Sequence, residues 1–137
     1  MIVENAVYPT ASRVKALMAG DSDGSVVMVN LLRFRAKAVY PDGRPSDLTG
    51  RQAYNLYAAP MQNVIERGGG KVLFGSDIAS LVIGEVEDLW DTCVLVEYPS
   101  AAAFAAIVTS PEVAEIGIHR TAGLEGQLLI RATQLAL

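Results

Sequence analysis

Apolar residues recur along this chain with two spacings, and the points where the spacing changes mark out its elements. Val14, Leu17 and Met18 follow Pro9-Thr10 at helical intervals and predict a short N-terminal helix closed by Gly20, with Asp21–Gly24 as a turn. Val26–Phe34 reads differently. Val26, Met28, Leu32 and Phe34 fall on one alternating face and Val27, Val29 and Leu31 on the other, the pattern of a central strand covered on both sides. Tyr40–Pro45 is dense in turn formers and predicts a loop. Thr49, with Gln52 three residues on, matches a capping box, and Tyr54, Tyr57, Met61 and Ile65 then form one helical stripe. Pro60 inside that helix predicts a kink, and Gly68-Gly69-Gly70 a stop.

Lys71–Ile83 carries two β-like runs about Ser76-Asp77 and predicts one long, bent or bulged strand, followed by an acidic hairpin with Glu85, Glu87 and Asp88. Trp90–Tyr98 is a second strand apolar on both faces. Ser100 caps a helix containing Phe104, Ile107 and Val108, Ser110-Pro111 opens a further helical turn, and Gln127–Thr133 is the last strand. The order, an extra helix and then β-α-β-β-α-β, predicts an α+β, ferredoxin-like fold with a four-stranded antiparallel sheet. Topology puts the first and third strands in the middle, and right-handed crossovers are read as making that pair parallel neighbours. Helices cover one face of such a sheet; a second copy of the chain is the simplest cover for the other. One domain over residues 1–137 is expected, with its core at about 26–134 and residues 1–24 as a helical extension.

Composition narrows the function classes. Hydrophobic residues make up 51% and charged residues 19%, a globular mix. A net charge of −4 and the lack of a basic stripe argue against nucleic acid and against an anionic membrane surface as partners. No charge-free apolar run reaches the roughly 20 residues of a membrane span. Cys93 is the sole cysteine, so no internal disulfide forms, and MIVENAVYPT has neither the basic nor the apolar region of a secretory signal. A cytoplasmic protein is expected.

VNLLRFR at 29–35, TGRQAY at 49–54, the glycines at 68–70, VLVEYPS at 94–100, SPEV at 110–113 and HRTAGL at 119–124 resemble a bacterial family of small proteins of unknown function within the dimeric α/β-barrel superfamily. The likeness spans roughly residues 26–134. It implies a homodimer whose two sheets pack face to face, with a small apolar or aromatic ligand held between sheet and helices or within the barrel. Related branches include cofactor-free monooxygenases, haem-degrading monooxygenases, peroxidase-like haem proteins and isomerases, and a shared fold does not choose among them.

Several residues are candidates for chemistry. Asn30 sits among apolar neighbours, and a buried amide left unpaired costs about 1–3 kcal/mol, so a structural partner or a ligand must meet it. Glu97, at the C-terminal end of the third strand, is expected to meet Arg33 or Arg120, either as a buried pair or as a rim salt bridge. His119, the sole histidine, suits acid–base work near neutral pH or axial haem ligation, or else a local helix-end hydrogen bond. Arg120 suits a carboxylate, through its planar fork. Tyr54, Trp90 and Phe104 are candidate ligand-lining rings, though rings at these spacings also build cores. Asn30, Trp90 and His119 supply, in order, the residue types that the haem-degrading branch uses, but His119 departs from its placement.

Glu115 and His119 alone do not make a metal site, and none is expected. Gly68-Gly69-Gly70-Lys71 lacks the spacing of a phosphate loop, and there is no G-x-S-x-G elbow. Cys93 is expected to be a packed core thiol. The reading that results is a homodimer binding a small aromatic or acidic metabolite without a cofactor, with Asn30 and His119 as candidate catalytic residues. Arg33, Tyr54, Trp90, Glu97, Phe104 and Arg120 are its candidate ligand contacts. A monooxygenase-like or isomerase-like activity, a non-catalytic binding or regulatory domain, and a haem-binding or haem-degrading protein are the alternatives.

Overall fold

The computed structural model describes residues 6–19 and 24–137; the predicted cap at Gly20 and most of the turn at 21–24 lie outside them. Helix α1 spans Ala11–Ala19, strand β1 Val26–Phe34, helix α2 Gly50–Arg67, β2 Lys71–Asp77, β3 Thr92–Tyr98, α3 Ala101–Val108, α4 Pro111–Gly123 and β4 Leu124–Ala132. The strands form one sheet in the order β2-β3-β1-β4, with every neighbouring pair antiparallel. The caps follow the local chemistry. Thr49 and Gln52 close a reciprocal capping box at α2, Ser100 accepts from the Ala103 amide, and Ser110 with Pro111 opens α4. Pro60 lies within an α2 that runs unbroken from Gly50 to Arg67.

The central pair corrects the expected direction. Val26 lies opposite Tyr98 and Leu32 opposite Thr92, so β1 and β3 are antiparallel. A helical crossover joins strands that run the same way, here β1 with β2 and β3 with β4. Each of those pairs has an opposed strand filling the slot between its members. The expected strand over 71–83 ends at Asp77, where the Asp77 carboxylate takes bonds from Arg51 and Thr92, and β2 carries a register shift between Val72 and Phe74. Residues 78–91 are loop, and Val82 and Ile83 are 89% exposed there. Strand β3 starts at Thr92 because Asp91 is spent on β1: its amide donates to the Leu32 carbonyl and its carboxylate accepts from the Phe34 amide. Strand β4 starts at Leu124, directly out of α4, which is longer than the single turn expected.

The helices lie on the face of β1 that carries Val26, Met28, Asn30, Leu32 and Phe34. There Val26 and Met28 join Met61, Val64 and Ile65 of α2, Val96 and Tyr98 of β3, and Phe104 and Ile107 of α3 in one core. The opposite face carries Val29 and Leu31 of β1, Phe74 of β2, Leu95 of β3, and Leu128 and Ile130 of β4, as the register requires. Phe74 is 53% and Ile130 46% exposed. Cys93 lies on this helix-free face opposite Leu31, half-buried and outside the helix-packed core. Among the described residues no single helix is long and apolar enough to cross a membrane.

Two glycines join the ends of three elements. A Cβ on Gly50, at the start of α2, would lie 2.1 Å from the Arg35 carbonyl oxygen; one on Gly123, at the end of α4, would lie 2.3 Å from the Gly50 carbonyl oxygen. The Arg35 amide donates to Gly123 and the Gly50 amide to Arg35. The exit of β1, the start of α2 and the end of α4 therefore meet backbone to backbone.

Candidate functional site

Asn30 is answered by the protein itself. Its side-chain amide donates to the Met28 and Val94 carbonyls at 3.3 and 3.2 Å, and its Oδ1 accepts from Gln127 Nε2 at 2.8 Å. Gln127 is the one buried polar side chain among the described residues, and its Oε1 accepts a short bond from Arg120 Nη2. The same Nη2 donates to the Val7 carbonyl at 2.8 Å. Asn30, Gln127 and Arg120 thus form one chain of hydrogen bonds from the centre of the sheet to α4.

The N-terminal segment lies against this chain. The Gln127 amide donates to the Ala6 carbonyl at 2.8 Å, and the hydroxyls of Tyr8 and Thr121 are 2.6 Å apart. The Ala6–Gln127 bridge covers part of the open β4 edge. Farther along that edge Leu129, opposite Asn30 and therefore on the helix side, is 47% exposed. The helical layer therefore leaves that part of the β4 edge accessible.

Three phenols border the same region. Tyr54 and Tyr57 of α2 have ring centroids 5.5 Å apart, and Tyr98 of β3 packs edge-on against Phe104 at 5.0 Å. None of the three hydroxyls has a hydrogen-bond partner among the described residues, and no buried side-chain oxygen there is left unsatisfied, so the three hydroxyls reach accessible space. Burial pushes all three phenols above the ordinary tyrosine value of 10.0, while the Arg120 charge pulls those of Tyr54 and Tyr57 partly back. Their protons therefore stay on through neutral pH. The unfolded chain releases phenolic protons from about pH 10 and the folded chain holds them, so stability present below that pH falls above it. Absorbance at 295 nm during alkaline titration checks this: these phenols should ionise together with unfolding, and their ionisation at pH 10 in folded protein would contradict their placement.

The other candidates stand apart. His119 Nδ1 is 2.7 Å from the Tyr40 hydroxyl, with the rings edge to face at 5.5 Å. That contact holds the 35–48 loop on α4, beside the small Ala38, Tyr40, Ala53 and Ala122 core. Arg33, 15% exposed, donates to the Asp88 and Leu89 carbonyls and lies 4.8 Å from the Trp90 ring centroid, which fixes the base of the 78–91 loop. Glu97 does not meet Arg33 as expected. The antiparallel register sets it opposite Val27 and Lys71, about 20 Å of strand from Arg33. Nor does it meet Arg120, whose bonds go to Val7 and Gln127. Asn30, Trp90 and His119 thus have three separate sets of partners. Among the described residues no three His, Cys, Asp or Glu side chains gather as a ligand set for a metal.

Of the expected residues, Asn30 and Arg120 are linked through Gln127, and Tyr54 lies close enough to Arg120 to feel its charge, as does Tyr57; Phe104 packs against Tyr98 inside the helix-side core. Gln127 has the same signal in the sequence as Asn30: an amide inside an apolar run, LEGQLLI. Tyr57 and Tyr98 read as core rings, and periodicity does not report where a hydroxyl ends.

This arrangement is an α+β, ferredoxin-like sheet with a polar chain under its helices. Residues 45–133 match the model of a domain of unknown function, DUF1330, and the chain belongs to that family. It is similar to RPA0582, a protein of unknown function from Rhodopseudomonas palustris, with 35% identity over 98% of this chain and 100% of that one and a TM-score of 0.88. The methylated form of RPA0582 aligns with 37% identity over 96% of each chain, also with a TM-score of 0.88. A dabb family protein with a ferredoxin-like fold from Mesorhizobium loti shares the fold at 12% identity, over 82% of this chain and 99% of that one, with a TM-score of 0.50. No curated protein matches the chain.

Proposed function

We propose that this protein is a homodimer in which each copy binds a small organic molecule, aromatic or acidic, at the β4 edge between the sheet and helices α2 and α4. The two faces of the sheet divide the work. The helix-free face, with Val29, Leu31, Phe74, Leu95, Leu128 and Ile130, is given to the second copy. The β4 end of the helix side, with Asn30, Tyr54, Tyr57 and Arg120, is given to the ligand, and Tyr98 and Phe104 back it from the core.

The observation that carries the ligand reading is the set of three phenols whose rings are largely covered while their accessible hydroxyls have no partner among the described residues. Pockets for small molecules combine such apolar walls with a few convergent polar groups. Binding is favoured over turnover, because His119, the natural acid or base, is engaged by Tyr40. A cytoplasmic location fits the single cysteine and the acidic charge.

A titration with small aromatic acids and neutral aromatics, followed by ¹H–¹⁵N NMR, tests this reading. The side-chain amide signals of Asn30 and Gln127 should move first and saturate. Shifts confined to other surfaces, or none, would refute the site, and turnover of a bound compound would move the reading from binding protein to enzyme.

A further inference from the structure

We propose that the molecule held at this site is a carboxylic acid with an apolar body, and that Arg120 is its counter-ion. The inference rests on the site proposed above and follows from counting what the polar groups have left to give. Arg120 is half-buried, yet among the described residues no aspartate or glutamate pairs with it; ion pairs seen there include Arg33 with Asp88, Arg44 with Asp42, Arg51 with Asp77 and Arg67 with Glu112. Its recorded bonds, both from Nη2, go to neutral oxygens, the Val7 carbonyl and the Gln127 amide. The Nη1 and Nε hydrogens have no acceptor among the described residues. A guanidinium drawn partly out of water against neutral acceptors alone lacks the compensation that burial of charge requires.

The neighbours do not supply it. The side-chain oxygens of this hydrogen-bond chain are neutral and each already accepts a bond: Asn30 Oδ1 from Gln127 and Gln127 Oε1 from Arg120. What remains unspent is donors, the guanidinium hydrogens and the hydroxyls of Tyr54, Tyr57 and Tyr98. A site with spare donors and one uncompensated positive charge fits a ligand rich in acceptors that carries one negative charge. A carboxylate meets both conditions, and the planar guanidinium matches its geometry. The half-buried rings of Tyr54 and Tyr57 offer apolar surface to the rest of the molecule. The hollow between α2 and α3 at Val64, Gly68 and Ile107 has no such surplus, since its charged groups Arg67 and Glu112 pair at 2.7 Å.

The experiment compares benzoate with benzamide, which keeps the ring and removes the charge, on wild-type protein by calorimetry and by the Asn30 and Gln127 side-chain signals. Benzoate should bind at least about tenfold more tightly, with the preference lost in Arg120→Gln and partly kept in Arg120→Lys. Equal affinity of the two in wild type would overturn the carboxylate assignment while leaving the site standing. An unchanged preference for benzoate in folded Arg120→Gln would overturn the role of Arg120. If neither compound moves the Asn30 and Gln127 signals, the site itself falls and this inference with it. The wild-type comparison needs no variant to fold.

Discussion

Replacing Gly123 by alanine is expected to destabilise the fold by about 3 kcal/mol or more, lowering the melting temperature by roughly 10 °C. The added methyl carbon would stand 2.3 Å from the Gly50 carbonyl oxygen and 2.8 Å from the Tyr54 amide nitrogen, distances no Cβ tolerates. Both obstacles are backbone, so relief requires α2 and α4 to part. Parting them also strains the bond from the Arg35 amide to the Gly123 carbonyl and shifts Tyr54. Gly117 in the same helix is the control. A Cβ there meets nothing within 4 Å, so Gly117→Ala should be neutral or stabilise by up to about 1 kcal/mol. Thermal denaturation of the two variants checks the pair, and equal melting temperatures would show that the helices do not touch at these glycines.

In the proposed homodimer, Leu31→Asp is expected to abolish association while leaving each chain folded. Leu31 sits near the middle of β1 on the helix-free face, between Cys93 and Leu128. In a two-fold interface each substitution acts twice, so two unpaired carboxylates would be buried in an apolar contact. Each costs several kcal/mol, enough to weaken association by about a thousandfold or more. The helix-side core of Met28, Val96 and Phe104 is untouched, so the far-ultraviolet circular dichroism should match wild type. Sedimentation velocity reads the outcome. A dimer that survives Leu31→Asp would place any association on another surface.

The helix starts and the first strand were legible because their signals are local. Thr49 with Gln52, Ser100, and Ser110 with Pro111 each satisfy free amides within a few residues, and Val26–Phe34 shows its apolar faces without reference to any other strand. The direction of β3 against β1 is not local, since it depends on which strands the crossovers join. Taking that pair as parallel sets Glu97 at the wrong end of the sheet, within reach of Arg33 or Arg120, where the antiparallel register does not. Leu81, Val82 and Ile83 misled for a related reason: apolar residues make a strand only where a partner strand is free, and past Asp77 there is none among the described residues. Within the site, Asn30 was legible as an amide needing a partner, and Gln127 gave the same signal unread. The surplus of donors around Arg120 was not legible, because it depends on which acidic side chains fail to reach that arginine in three dimensions.

In the proposed assembly the sheet has one face for a second copy and the other for a ligand. Sedimentation velocity of wild-type protein at micromolar concentration tests it most directly. The predicted result is a single species of twice the 14.6 kDa chain mass. A species of one chain mass, with Phe74 and Ile130 in water, would contradict it.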